Sequence, residues 1–126
     1  MVLCLIAAPD PPEIIKVIPD TDSSTAIIWW TNSDYHGCFI MYNNIYYRII
    51  NERNSEPWSM STFQPYYMHR VQRYLLPVQL DKMYEVIVTA TNSEGESSKD
   101  LVTPTIFGKV TKEPDKSKYF SMSRIQ

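Results

Sequence analysis

Cysteine is scarce in this chain: Cys4 and Cys38 are the only two in 126 residues. Two thiols close at most one bridge, so a miniature fold stapled by disulfides is excluded and stability must come from apolar packing. Cys4 sits in an apolar terminal segment and Cys38 beside a strand-like run; both are expected as thiols, which leaves the redox compartment open. Only three glycines occur, and they form no glycine-rich loop of the kind that cradles phosphate. Long apolar runs are missing. Nothing approaches the roughly 18 residues that cross a bilayer as a helix, so no membrane contact is expected from this segment itself. Neither an Asn-x-Ser/Thr acceptor nor a paired acidic motif occurs. Clustered basic charge is absent from the body: residues 1–108 carry seven Lys and Arg against twelve Asp and Glu, while 109–126 carry five against two. A mildly acidic body argues against nucleic acid, whose phosphates need clustered cations.

The length suits one domain with a single core, and 44% hydrophobic with 21% charged residues is ordinary for a globular protein. Nine tyrosines with little glycine favour strands over helices. Residues 1–8 form an apolar N-terminal segment that reads as part of a signal peptide or a fragment end, since it is short and lacks a basic region. Pro9, Pro11 and Pro12 stiffen an extended entry of the linker kind. The domain is expected over 9–106, followed by a polar, flexible tail over 107–126.

The run Tyr84-Glu-Val-Ile-Val-Thr-Ala-Thr-Asn92-Ser-Glu-Gly95 carries the most information. Val86, Val88 and Ala90 fall on one face at period two, with Glu85, Thr89 and Thr91 on the other, as in a half-buried strand. Asn92 and Gly95 tolerate positive φ where the chain reverses. Tyr84, opening the run, is placed to bury its ring under a corner while its hydroxyl bonds back to the chain.

Further strands are expected over 13–18, 25–31, 38–42, 45–50, 58–63, 71–76 and 99–106. Asn43 and Asn44 separate two of these runs, either as a tight hairpin turn or as a bulge in one long strand. In 25–31, Ala26, Ile28 and Trp30 share one face and Ile27 and Trp29 the other, so both faces are apolar. Only one face can enter a two-layer core, and the pattern alone leaves open which tryptophan lies outside.

Pro9-Asp-Pro-Pro12, Ile28-Trp-Trp30, Tyr47-Arg-Ile-Ile50, Trp58 and the Tyr84 to Gly95 run together resemble a fibronectin type III domain, from about Pro9 to Pro104. The resemblance implies an all-β fold, a seven-stranded immunoglobulin-like β-sandwich of the fibronectin type III kind. It implies a core of Ile28, Trp30, Tyr47, Ile49, Tyr84, Val86 and Val88, with Trp29 outside. The sequence departs from the family's prolines at Asn32 and Ser33 and at 80–82. Trp58-Ser-Met-Ser-Thr62 lacks the second tryptophan of the cytokine-receptor Trp-Ser-x-Trp-Ser box and stands too early in the chain; it reads as packing beside the third strand.

Catalysis finds little support. His36 and Cys38 are adjacent on one loop without a third orienting group, and Cys4, His36, Cys38 and His69 have no paired-ligand spacing for a metal. No cofactor is expected. The candidate site is instead the outer face of the sheet holding the third and sixth strands, where Tyr46, Arg48, Ile50 and Ile87 form an aromatic, cationic and aliphatic cluster of interface composition. The expected role is a monomeric, non-enzymatic spacer that binds a protein partner or neighbouring domains of its own chain, at the cell surface or outside the cell. A cytoplasmic repeat of a giant muscle-type protein and an accessory module of a secreted carbohydrate-active enzyme are the alternatives.

Overall fold

The computed structural model describes residues 7–33, 39–51, 56–79 and 81–108. Cys4, His36, Cys38 and the segment 109–126 lie outside them, so the expectations about the thiols, the His36–Cys38 pair and most of the tail concern undescribed residues. The strands are β1 (Glu13–Asp20), β2 (Thr25–Thr31), β3 (Tyr42–Ile50), β4 (Ser59–Phe63), β5 (Val71–Pro77), β6 (Met83–Asn92), β7 (Gly95–Glu96) and β8 (Thr105–Gly108). They form two antiparallel sheets, β1-β2-β5 and β4-β3-β6-β7, with β8 also pairing β6. The fold is an all-β sandwich, and β7 and β8 are two pieces of its last strand, which reconciles eight elements with the seven expected.

The two sheets meet where their period-two apolar faces oppose each other. Ala26, Ile28, Trp30, Ile45, Leu76, Tyr84, Val86, Val88 and Phe107 make the buried cluster, with Tyr47 and Ile49 partly buried against it. Trp30 is fully buried, edge-on to Phe63 at 5.3 Å, and Trp29 faces outward. The indole N–H of Trp30 has no hydrogen-bond partner among the described residues, a cost that burial of so large a ring outweighs. Tyr84 stacks on Phe107 at 5.5 Å, and its Oη accepts the Gln79 N–H at 2.8 Å, pinning the entry to β6.

Three local expectations are corrected. Asn43 and Asn44 make neither turn nor bulge: both lie within β3, in unbroken register with Ala90 and Thr89. Buried Asn43 exchanges amide hydrogen bonds with Asn32 at 2.7 and 3.3 Å and donates to the Thr89 carbonyl at 2.9 Å, so cross-strand partners absorb the polarity that would otherwise favour a turn. The last strand does not run through 99–106. Ser97 Oγ accepts the Ala90 N–H at 3.0 Å and the ladder stops there; it resumes where Thr105 faces Val86. Three residues of β6, 87–89, thus face seven, 98–104, and the excess loops outward. Finally, β8 continues to Gly108, so Phe107 belongs to the core and not to the tail.

At the turn, Gly95 has φ 141°, whereas Asn92 keeps ordinary φ and acts through its side chain, its Oδ1 accepting the Glu94 N–H at 2.8 Å. Asn92 Nδ2 also donates to the Ala7 carbonyl at 3.0 Å, and Ser33 Oγ to that of Pro11 at 2.7 Å. The proline-rich entry, with Pro9 and Pro12 buried, is therefore held against the body.

Candidate protein-binding surfaces

The register of β3 against β6 sets Tyr46 opposite Ile87 and Arg48 opposite Glu85, as the alternation requires. The face they share is bound to itself. Arg48 Nε donates to Glu85 Oε2 at 2.6 Å, and its guanidinium lies 3.9 Å from the centroid of Trp58. Lys99, on the looped-out segment, reaches back over the rings of Tyr46 at 5.4 Å and Trp58 at 5.5 Å. Tyr46 and Trp58 meet edge to face at 6.5 Å.

Beside this ladder, Glu96 Oε2 accepts from Tyr46 Oη at 2.6 Å, Thr89 Oγ1 at 2.6 Å and Asn44 Nδ2 at 3.1 Å. Burial alone would raise the Glu96 carboxyl. The three donors, with Lys99 nearby, outweigh it and hold the group below its ordinary value. Burial, then the bond to Glu96 and its charge, push the Tyr46 hydroxyl up to about 12.

Of the four residues expected to present a binding cluster here, Tyr46 and Arg48 are thus engaged internally, and Ile50 is half-buried. Ile87 is corrected outright. It lies beside Tyr46 where the 98–104 segment crosses, and at 3% exposure it offers no contact to a partner.

The opposite outer face, on β1-β2-β5, has the reverse character. Register places Ile18, Ile27 and Leu75 in one row across the three strands and Lys16, Trp29 and Arg73 in the next. Ile18 is 44% exposed and Leu75 51%; Lys16 Nζ stands 4.6 Å over the Trp29 ring. Two exposed aliphatics flanking half-buried Ile27, beside a cation-flanked tryptophan, match the composition of binding interfaces. The sequence signalled this face only through the doubly apolar pattern of β2; Ile18 and Leu75 enter it because the register aligns them.

Where β5 borders the second sheet, a groove of about 780 Å³ opens between Trp29, Leu75 and the aromatic rings of Phe63, Tyr66 and Tyr74. Its far wall is fixed by buried Gln72. The Gln72 Oε1 accepts the Tyr66 N–H at 2.8 Å, and Nε2 donates to the carbonyls of His69 at 2.8 Å and Tyr66 at 3.0 Å.

No protein-family model matches the sequence, and no curated protein does. Among solved structures, the twitchin kinase region from C. elegans (Fn31-NL-kin-CRD-Ig26) superposes with a TM-score of 0.62 at 20% identity, over 89% of this chain and 18% of that one. The third fibronectin III domain of the human KIAA0343 protein, a solution structure, matches with a TM-score of 0.56 at 18% identity, over 90% of each chain. Together with the two antiparallel sheets and the Tyr84 corner, these likenesses give the chain the fold of a fibronectin type III domain.

Proposed function

We propose that the chain is a non-catalytic protein-interaction and spacer module, and that its contact surface is the outer face of β1-β2-β5. The observation that carries this reading is the row in which exposed Ile18 and Leu75 flank half-buried Ile27 beside Trp29, left without cover among the described residues while the opposite face is bound to itself. A packed sandwich holds such a row rigid, so little conformational freedom is lost when a partner docks. A fold does not dictate a function, so the surface carries the argument. The partner is another protein or a neighbouring domain of the same chain. We place the parent at the cell surface as a proposal, with a cytoplasmic repeat of a giant muscle-type protein, to which the likeness to the twitchin region lends support, as the alternative.

Site-specific photo-crosslinkers at Ile18 or Leu75, in cells expressing the parent protein, test the reading. A discrete adduct from these positions, absent from the exposed control position Leu101, is the expected result. Adducts from Tyr46 alone would return the site to the opposite face, and none from any position would leave a spacer without a binding role.

A further inference from the structure

The edge of β5 carries a more specific inference, which rests on the protein-binding reading above. Among the described residues, β5 pairs only with β2. The N–H of Val78 reaches the Ser24 carbonyl at 3.0 Å, and this fixes the phase of the ladder. In an antiparallel pair the bonds alternate, so Gln72, Tyr74 and Leu76 bond β2 while the N–H and C=O of Val71, Arg73 and Leu75 point to the free edge. Six residues of this edge contain neither proline nor bulge before Pro77 ends it. The β1 edge, by contrast, is interrupted by a bulge between Ile14 and Lys16 and by Pro19. Proline, bulges and charge are the usual means by which edges are blunted, and here β5 has only Arg73.

The 780 Å³ groove lies along the same strand, with Phe63, Tyr66 and Tyr74 on one side of it and Trp29 and Leu75 on the other. An extended chain laid against β5 would send alternate side chains to these two sides. The charge on the outer side selects the partner. Arg70 and Arg73 are exposed, and neither has an acidic partner within ion-pair distance among the described residues. Lys16 lies on the same face, although the body as a whole is acidic.

A second copy of the chain fits poorly. Symmetric pairing about Arg73 sets two arginines face to face, and pairing about Tyr74 sets them on a diagonal and places Pro77, which has no N–H, opposite Val71; like charges so placed destabilise a sheet.

We propose that β5 is a strand-addition site for an extended segment of a partner protein in which apolar and acidic residues alternate. Its apolar side chains enter the aromatic side of the groove, and its carboxylates meet Arg73.

The probe is a short synthetic peptide alternating valine and glutamate, titrated into the isotope-labelled full chain and followed by amide NMR and hydrogen exchange. The expected result is shifts at Arg73 and Leu75, with exchange slowed about tenfold at both amides. The lysine counterpart and a peptide N-methylated at alternate residues should not bind, and Arg73→Glu, once its spectrum shows an intact fold, should reverse the preference between the charged peptides. Equal binding of both charged peptides, binding of the N-methylated form, or no binding at all would overturn the proposal. Protection of Arg73 and Leu75 without peptide, accompanied by dimers in sedimentation, would assign the edge to a second copy and likewise overturn it. Crosslinking from Ile18 together with unmoved β5 amides would leave the protein-binding reading standing and refute strand addition alone.

Discussion

The two outer faces of the sandwich show opposite uses of similar residue types. On the β4-β3-β6 side, Arg48 and Lys99 stack on Trp58 and Tyr46, and Glu96 gathers three donors, so charge and aromatic surface are consumed within the fold. On the β1-β2-β5 side, Lys16 also covers a tryptophan, but Ile18, Leu75 and Arg73 are left open to solvent. A tryptophan beside an arginine is therefore no sign of a binding site by itself; what matters is whether the partners it needs are already present in the chain. The first face gains them from a four-residue excess in the last strand, which carries Lys99 across it.

The contrast predicts that substitutions on the first face cost stability and those on the second cost binding. The largest effect is expected from Trp58→Ala, which removes the platform for both cations and should lower stability by about 2 kcal/mol in urea unfolding. A loss under about 0.5 kcal/mol would make the ladder ornamental. Tyr84→Phe belongs to neither face and calibrates one buried bond; about 1 kcal/mol is expected, and an unchanged unfolding midpoint would refute the corner. Glu96→Gln should cost somewhat less than about 1 kcal/mol, because the residue is largely exposed and solvent screens its interactions.

Glu96→Gln also has a pH signature. The folded Glu96 carboxyl sits below its ordinary value, so its contribution is complete above that value and is lost as pH falls through the lower folded one. The gap between wild type and variant should close in acid. At the other extreme, Tyr46 ionises only near 12, and its contribution is lost as pH rises through that value. In the variant, NMR of the Tyr46 ring should show it ionising earlier, though only part of the way back, since burial is the larger cause. The smallest effect is expected from Ile18→Ser and Leu75→Ser, within about 0.5 kcal/mol each. A larger loss there would show that the open face also supports the fold and would erase the contrast.

Strand positions were legible wherever alternation was strong and local. Residues 25–31 and the run from Tyr84 form strands where the period-two pattern places them, because burial of one face fixes both register and direction. Asn43 and Asn44 misled because their turn propensity is local, whereas their partners Asn32, Thr89, Thr62 and Glu96 are distant in sequence. The split in the last strand was hidden for a related reason: nothing in the apolar spacing of 99–106 reveals that Ser97 ends the ladder. The four surface residues singled out from the sequence do fall around one strand pair, but alternation reports which way a side chain points and not what lies above it. Ile87 is the plainest case.

By itself the sequence determined a two-sheet β-sandwich with the Tyr84 strand in its core, since apolar periodicity and turn chemistry act over a few residues; for Trp30 the periodicity left both faces open, and its place inside was only what the resemblance implied. Only the tertiary structure decided which outer face is spent and which is free. That choice depends on pairings such as Glu96 with Tyr46, or Leu75 with Ile27, between residues that the chain separates by tens of positions and that only the sheet register brings together.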